Sequence, residues 1–270
     1  MTIRKTRGLT ISRDLDSEYD MRKIVKTAFG FCPCCNRKTL FVALDYWLRD
    51  SYKCVRCRSI PRQRAIVDVI SRTFDDWKNL NIHESSPCGP TFDMMKKSCS
   101  NYSYSYFYPN KELGEVIGDN GRVTNQNLEK LTFADNSFDL FITQDVFEHI
   151  NEPDKALKEI YRCLKPGGCH IFTVPIYPFI ETRPRIKIED GHAVPIMEEQ
   201  YHGNPIDKKG ALVTYDWGGD IARKIDSLSG FKTEIIEFLD SEENHRKGLE
   251  ADFLQVVVSK KYDVEFITLE

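Results

Sequence analysis

The sequence predicts an α/β fold, a doubly wound and mostly parallel sheet preceded by a small cysteine-bearing segment. Three observations carry this. From residue 79 onward short apolar runs alternate with amphipathic stretches, two Cys-x-x-Cys pairs stand before them, and 270 residues suffice for one full α/β domain plus an appendage. A composition of 41% hydrophobic and 29% charged residues belongs to a globular chain able to bury a core. The first thirty residues carry charges throughout, and no apolar run reaches the roughly 20 positions of a membrane helix. The expectation is therefore a cytoplasmic protein with no membrane insertion. Nine cysteines are odd in number and too sparse for a disulfide scaffold, which leaves metal ligation, burial or nucleophilic roles.

Spacing decides for four of them. Cys32-x-x-Cys35 is followed after eighteen residues by Cys54-x-x-Cys57. Each pair can fold into a knuckle presenting two thiolates, and two knuckles close a tetrahedral shell around Zn2+. Thr39–Leu44 between them reads as a strand, as in a zinc ribbon. With all four positions filled by protein, such a site is structural and supplies folding energy to a short segment. Cys34 is then a spare, pointing away from the metal or competing with Cys35. This segment is assigned to residues 1–60 and the main domain to 61–270.

Charge divides along nearly the same line. Residues 1–78 hold 17 basic and 9 acidic side chains, and the remainder 21 and 32, so a basic appendage is joined to an acidic body within a chain of net charge −3. Much of the positive charge lies between Arg49 and Arg64, where Lys53, Arg56, Arg58 and Arg62 are opposed only by Asp50. Two readings are open: a solvated face around the metal site, or a surface for a polyanion such as nucleic acid.

The elements of the main domain follow in order. Pro61 suits a first helical turn, and Ile66, Val67, Ile70, Phe74 and Trp77 recur at the spacing of an amphipathic face. A strand is expected at Leu80–Glu84, a helix after Gly89, a tyrosine-rich strand at Tyr102–Tyr108 and a buried strand at Phe138–Thr143. Asp154–Leu164 reads as an amphipathic helix closed by Lys165-Pro166-Gly167-Gly168, and Cys169–Pro175 as the next strand. Residues 216–230 are expected to form a helix, with Phe231–Leu239 and Phe253–Val258 as a closing antiparallel pair.

Several of these stretches carry a resemblance. Leu131–Asp139 (LTFADNSFD), Gln144-Asp145-Val146-Phe147-Glu148-His149, Leu164-Lys165-Pro166-Gly167-Gly168 and Phe172-Thr173-Val174-Pro175 resemble the second half of a class I S-adenosylmethionine-dependent methyltransferase domain, over roughly residues 79–260. The chain further resembles a bacterial branch with a zinc-ribbon-like segment before that domain and a Tyr-His-Gly-Asn-Pro motif, here Tyr201–Pro205, after the fifth strand. The resemblance implies a Rossmann-like, seven-stranded methyltransferase sheet with a small N-terminal zinc-ribbon-like segment.

It also implies a cofactor site for S-adenosylmethionine outside the carboxyl ends of the strands, at the loop after Glu84. His83–Pro90 departs from the family's glycine-rich pattern: one glycine, Gly89, remains, two prolines enter, and Ser85 and Ser86 offer hydroxyls. Glu84 would receive the cofactor ammonium, directly or through water. The carboxylate that ends the second strand in the family and holds the ribose is absent from Tyr106–Asn110. Asn127 stands where an aspartate accepts from the adenine amino group, with Leu128 supplying a backbone N–H, and Gln144 and Asp145 complete the expected site.

Methyl transfer to a hydroxyl needs a base near the ends of strands four and five. His202 is the first candidate, in a polar insertion over residues 177–213 that has the place of an acceptor-binding lid; His192 lies in the same insertion. His149 follows strand four and either acts as base or orients the loop. His83 and His170 belong to strands, and His245 to a charged loop. Three functions remain: a methyltransferase acting at oxygen or nitrogen of a small-molecule or glycan acceptor, an RNA methyltransferase, and a catalytically silent binding module.

Overall fold

In the computed structural model, which describes residues 23–117, 123–203 and 209–262, β1 (Lys26–Cys32) and β2 (Arg37–Ala43) form an antiparallel hairpin whose turn is the first cysteine knuckle. β3 (Lys53–Cys54) pairs with β2 after the single turn of α1 (Leu48–Ser51). Each knuckle closes on a left-handed residue directly after its second cysteine, Asn36 with φ 52° and Arg58 with φ 68°, which turns the chain back so both thiols face one point.

α2 (Pro61–Thr73) then leads into the main sheet. Pro61 opens it where an amide hydrogen would have no helical partner, and the Gln63 side chain accepts from the Ile60 N–H at 3.2 Å. Next come β4 (Ile82–Ser85), α3 (Gly89–Ser98), β5 (Tyr102–Tyr106), β6 (Val123–Asn125), β7 (Phe138–Gln144), α4 (Pro153–Cys163) and β8 (Leu164–Thr173). Between β8 and the last helices lie seven short strands: β9 (Ile176–Tyr177), β10 (Arg183–Pro184), β11 (Ile186–Glu189), β12 (His192–Pro195), β13 (Tyr201–His202), β14 (Ala211–Leu212) and β15 (Tyr215–Gly218). α5 (Ile221–Leu228), β16 (Lys232–Glu237), α6 (Glu242–Lys247) and β17 (Gln255–Lys260) end the described chain.

The main sheet has seven strands in the order β16-β17-β8-β7-β4-β5-β6, parallel from β8 to β6, with β17 antiparallel to both its neighbours. Alternation along each strand divides two cores. Leu140, Ile142, Cys169, Ile171, Val256 and Val258 face α2, α3 and the cysteine segment, while Phe141, Phe172 and Val257 face α4 and α5. The cysteine segment thus shares one continuous apolar cluster with the sheet. Arg64 ties the two together: fully buried, it donates to the carbonyls of Ser59, Tyr52 (2.8 Å) and Gly248 (2.6 and 3.1 Å), and lies over the Phe41 ring.

The insertion folds as two hairpins, β11 with β12 and β13 with β14, rather than as irregular loop. One expectation is corrected here. Residues 215–218, whose greater part was expected to begin a helix, are strand β15, and α5 occupies only Ile221–Leu228. Trp217 and Gly218 pair with Ile176 and Tyr177, and the Ile180 carbonyl passes so close to Gly218 that a β-carbon would collide with it. The charged loop before β17 in turn holds α6, because Ser241 accepts from the Asn244 N–H at 3.2 Å and Gly248 (φ 64°) closes the helix.

Candidate functional site at the carboxyl edge of the sheet

β4 and β7 are adjacent parallel strands from which the sheet order runs in opposite directions, so their carboxyl ends form the switch-point crevice. From β4 come Glu84 and Ser85, then the turn Ser86-Pro87-Cys88 and the start of α3 at Gly89. Ser86 takes φ 54°, a glycine-like conformation held by a serine, and Gly89 has φ 68° with the Gln63 amide packed against it. The Tyr106 hydroxyl donates to the Pro87 carbonyl at 2.9 Å, pinning the turn to the end of β5.

Glu84 is fully buried. Its two oxygens accept from the Tyr102 hydroxyl (2.6 Å) and the Gln144 amide (2.7 Å), joining β4 to β5 and β7. Burial pushes its carboxyl up to about 7, against those two hydrogen bonds, which favour the charged form. Past β6, Asn127 is half-buried and its side-chain oxygen accepts from the Glu129 N–H at 2.9 Å, the geometry of a local turn; Leu128 is buried in the second core. Asn125, which sequence reasoning missed, is the organiser of this edge. Its amide donates to the carbonyls of Tyr108, Lys111 and Glu112 and its oxygen accepts from the Tyr108 N–H, shaping the loop after β5.

Asp145 follows β7 with φ 50°. Its carboxylate accepts from the Thr173 hydroxyl at 3.0 Å and from two arginines of the N-terminal region, Arg49 at 3.2 Å and Arg62. Arg49, Arg62 and Arg64 therefore point into the fold, so half of the basic cluster read from the sequence is internal. No sequence signal marks the Arg49–Asp145 pair, which joins positions 96 apart.

Beyond Asp145 opens a cavity of about 860 Å³, lined by Trp47, Ile176, Tyr177 and Phe179 on its apolar side and by Arg62, Asp145, Glu148, His149 and His202 on its polar side. The one-turn helix Phe147–His149 presents Glu148 and His149, and β13 brings His202 over them, with the two imidazoles 5.1 Å apart and perpendicular. Thr214 fixes that turn by donating its N–H to the Glu148 carbonyl and its hydroxyl to the Ile150 carbonyl. His149 and His202 thus meet, whereas His192 is exposed on the β11–β12 hairpin and is not among the cavity residues. Asn204 and Pro205 of the Tyr-His-Gly-Asn-Pro motif lie outside the described residues. His83 and His170 are buried strand residues, as expected.

The second site is the cysteine cluster. The sulfurs of Cys32, Cys35, Cys54 and Cys57 all lie within 4.8 Å of one another, with Cys32–Cys57 at 3.7 Å and Cys35–Cys54 at 4.0 Å. Four thiolates about 2.3 Å from a tetrahedral zinc stand about 3.8 Å apart, so the donor set fits the ion. Cys34 is buried outside the group. The Ser59 and Thr39 hydroxyls touch Cys32, Cys57 and Cys54 at 3.2–3.4 Å, the outer contacts that orient such ligands.

Residues 108–172 match the family described as methyltransferase domain. That match covers about a quarter of the chain, and the order of the main sheet is that of the class I methyltransferase fold. Among curated proteins it is 37% identical over 145 residues to a ubiquinone/menaquinone biosynthesis C-methyltransferase of Citrobacter koseri, covering 53% of this chain and 54% of that one. It is 43% identical over 54 residues to a dimethylglycine N-methyltransferase of Parasynechococcus marenigrum, covering 20% and 19%. The matches span about half or less of these relatives' length. A solved S-adenosylmethionine-dependent methyltransferase from Mesorhizobium loti is 17% identical, covering 73% of this chain and 98% of that one with a TM-score of 0.45.

Proposed function

We propose that this protein transfers a methyl group from S-adenosylmethionine to a small-molecule or glycan acceptor. The observation that carries this is the crevice at the carboxyl ends of β4 and β7, where Asp145 also lines a cavity of small-molecule size together with Glu148, His149 and His202. Residues present there suit the cofactor. The amide hydrogens at the start of α3 can take its carboxylate, Glu84 its ammonium, and Asn127 and Leu128 the adenine edge, with Ser85 and Ser86 bordering the methionine end. The cofactor supplies an activated methyl group; the chain positions the acceptor and removes its proton. His202, with its side chain 33% exposed, is the candidate base, and His149 its neighbour.

The aromatic wall of Trp47, Tyr177 and Phe179 suits a planar or sugar ring. The names of the curated relatives, for carbon and nitrogen acceptors, support a small molecule while differing in the atom methylated. We assign Cys32, Cys35, Cys54 and Cys57 to a structural zinc that braces α1 and α2 at the cavity rim. Isothermal titration with S-adenosylhomocysteine tests the core of the proposal. Binding in the micromolar range is expected, and none at millimolar concentration would leave the silent binding module.

A further inference from the structure

Glu148 is an anomaly in this fold. It is 2% exposed, and neither carboxylate oxygen has a hydrogen-bond partner among the described residues. Leaving a buried carboxylate unbonded costs several kcal/mol, so such a group is normally paired or ligated. Two imidazole nitrogens face it: His202 Nδ1 at 3.6 Å and His149 Nε2 at 3.8 Å from Oε1. Both separations are too long for a hydrogen bond. They are what two ligands show when each sits about 2.1 Å from a shared ion at angles of about 110–130°, namely about 3.4–3.8 Å.

The tautomer agrees. His149 Nδ1 lies 2.8 Å from the Leu212 carbonyl oxygen and must donate to it, which leaves Nε2 as a bare lone pair directed to the Glu148 side. A metal-binding histidine is commonly oriented by such a bond from its other nitrogen to a carbonyl. The backbone is braced as well, by Thr214 on the turn and by β13–β14 pairing beneath His202. Arg62, a cation lining the same cavity, is already engaged by Asp145 and Asp50.

We infer that Glu148, His149 and His202 bind a divalent transition-metal cation at the floor of the cavity, separate from the four-cysteine site, and that its open positions take an acceptor carrying two neighbouring oxygen atoms. Two imidazoles and one carboxylate select Fe2+, Mn2+, Co2+ or Zn2+ over Mg2+ or Ca2+. The cation site stands on the geometry; the acceptor class rests on the methyltransferase reading above. His202 then acts on the acceptor through the ion rather than by taking its proton.

Co2+ titrated into protein whose cysteine site is already filled with zinc is the test. One further equivalent should bind, with visible d–d absorption and without the thiolate charge-transfer band of a cysteine site. Glu148→Gln and His202→Ala should each weaken that binding at least tenfold while circular dichroism and the cysteine-bound zinc stay unchanged. A wild-type protein that takes up no second ion at millimolar Co2+ overturns the inference, as do variants that bind it as tightly as wild type. S-adenosylhomocysteine titration on the same samples separates the readings: loss of cofactor binding with the second ion retained removes the acceptor class and the methyltransferase proposal but leaves the cation site.

Discussion

Arg62, on the first turn of α2, and Asp145, at the end of β7, form an ion pair that closes the N-terminal region onto the carboxyl edge of the sheet. Their side chains are 26% and 16% exposed, so the pair is partly shielded from water, and Arg49 approaches Asp145 from the same side. Charges held this way couple more strongly than surface pairs. In a urea-unfolding double-mutant cycle, Arg62→Ala and Asp145→Asn should therefore be non-additive by about 1–3 kcal/mol. Additivity within about 0.5 kcal/mol would mean the pair does not hold the segment in place.

The zinc assignment makes a stoichiometric claim. Metal analysis of protein purified without added metal should find one zinc held by the cysteines per chain, lost in Cys54→Ser. Because Cys32 and Cys54 share the apolar cluster with α2 and the sheet, losing the ion should lower the melting temperature by about 10 °C or more rather than free the segment alone. A Cys54→Ser protein that keeps its metal and melts with wild type contradicts the assignment.

Cofactor affinity should depend on pH through Glu84. Its carboxyl, raised to about 7 by burial, is neutral in the folded protein below that pH. An ammonium brought beside it favours the ionised form, so affinity for S-adenosylhomocysteine should fall as pH drops below about 7 and level off above it. Titrations between pH 6 and 8 check this, and Glu84→Gln should flatten the profile. A wild-type affinity that does not change across the range places the ammonium elsewhere.

The acceptor side is reached by His202→Ala. Turnover should fall by about 100-fold or more, whether His202 takes the acceptor's proton or holds the cation that binds the acceptor, with S-adenosylhomocysteine affinity within twofold of wild type. Full turnover in this variant removes His202 from the site. His192→Ala, on the exposed hairpin, serves as the control and should leave turnover unchanged.

Local pattern was a good guide wherever a residue's role is set by its neighbours in sequence. The cysteine knuckles and the apolar periods of β7 and α4 follow from spacings of two to four residues, and the switch-point loop from the resemblance to the methyltransferase family. Contacts made across the fold left no such trace. Arg49 and Arg62 read as surface charge in sequence, whereas β7 brings Asp145 to them, and nothing within the Gln144–His149 stretch marks Glu148 as the residue that the fold buries. The helix expected at 216–230 forms only at Ile221–Leu228 for the same reason. Trp217 and Gly218 have helical neighbours downstream, but pairing with β9 overrides local preference.

Stability in acid is governed by buried groups with opposite signs. His83 lies between the Ser103 and Ser105 hydroxyls at 2.9 and 3.0 Å, and His170 stacks on Phe172 with Nε2 3.0 Å from the Thr143 hydroxyl. Complete burial lowers both to about 3 from an ordinary 6.5. The unfolded chain thus takes up protons at these positions below pH 6.5 while the folded one does not, and the stability they provide, fully present above 6.5, is lost as pH falls toward 3. From pH 6.5 to 5 the two together remove about 3 kcal/mol. Glu84 works the other way: its folded value of about 7 exceeds the ordinary 4.5, so acidification through that window stabilises the fold, by about 2 kcal/mol over the same interval. Urea unfolding of wild type should show a net loss of about 1–2 kcal/mol between pH 6.5 and 5, and Glu84→Gln, which removes the opposing group, should lose about 3. Equal losses in the two proteins would show that Glu84 is not the buried titrating carboxyl, and histidine ring resonances that titrate near pH 6.5 in the folded state would remove the other half of the account.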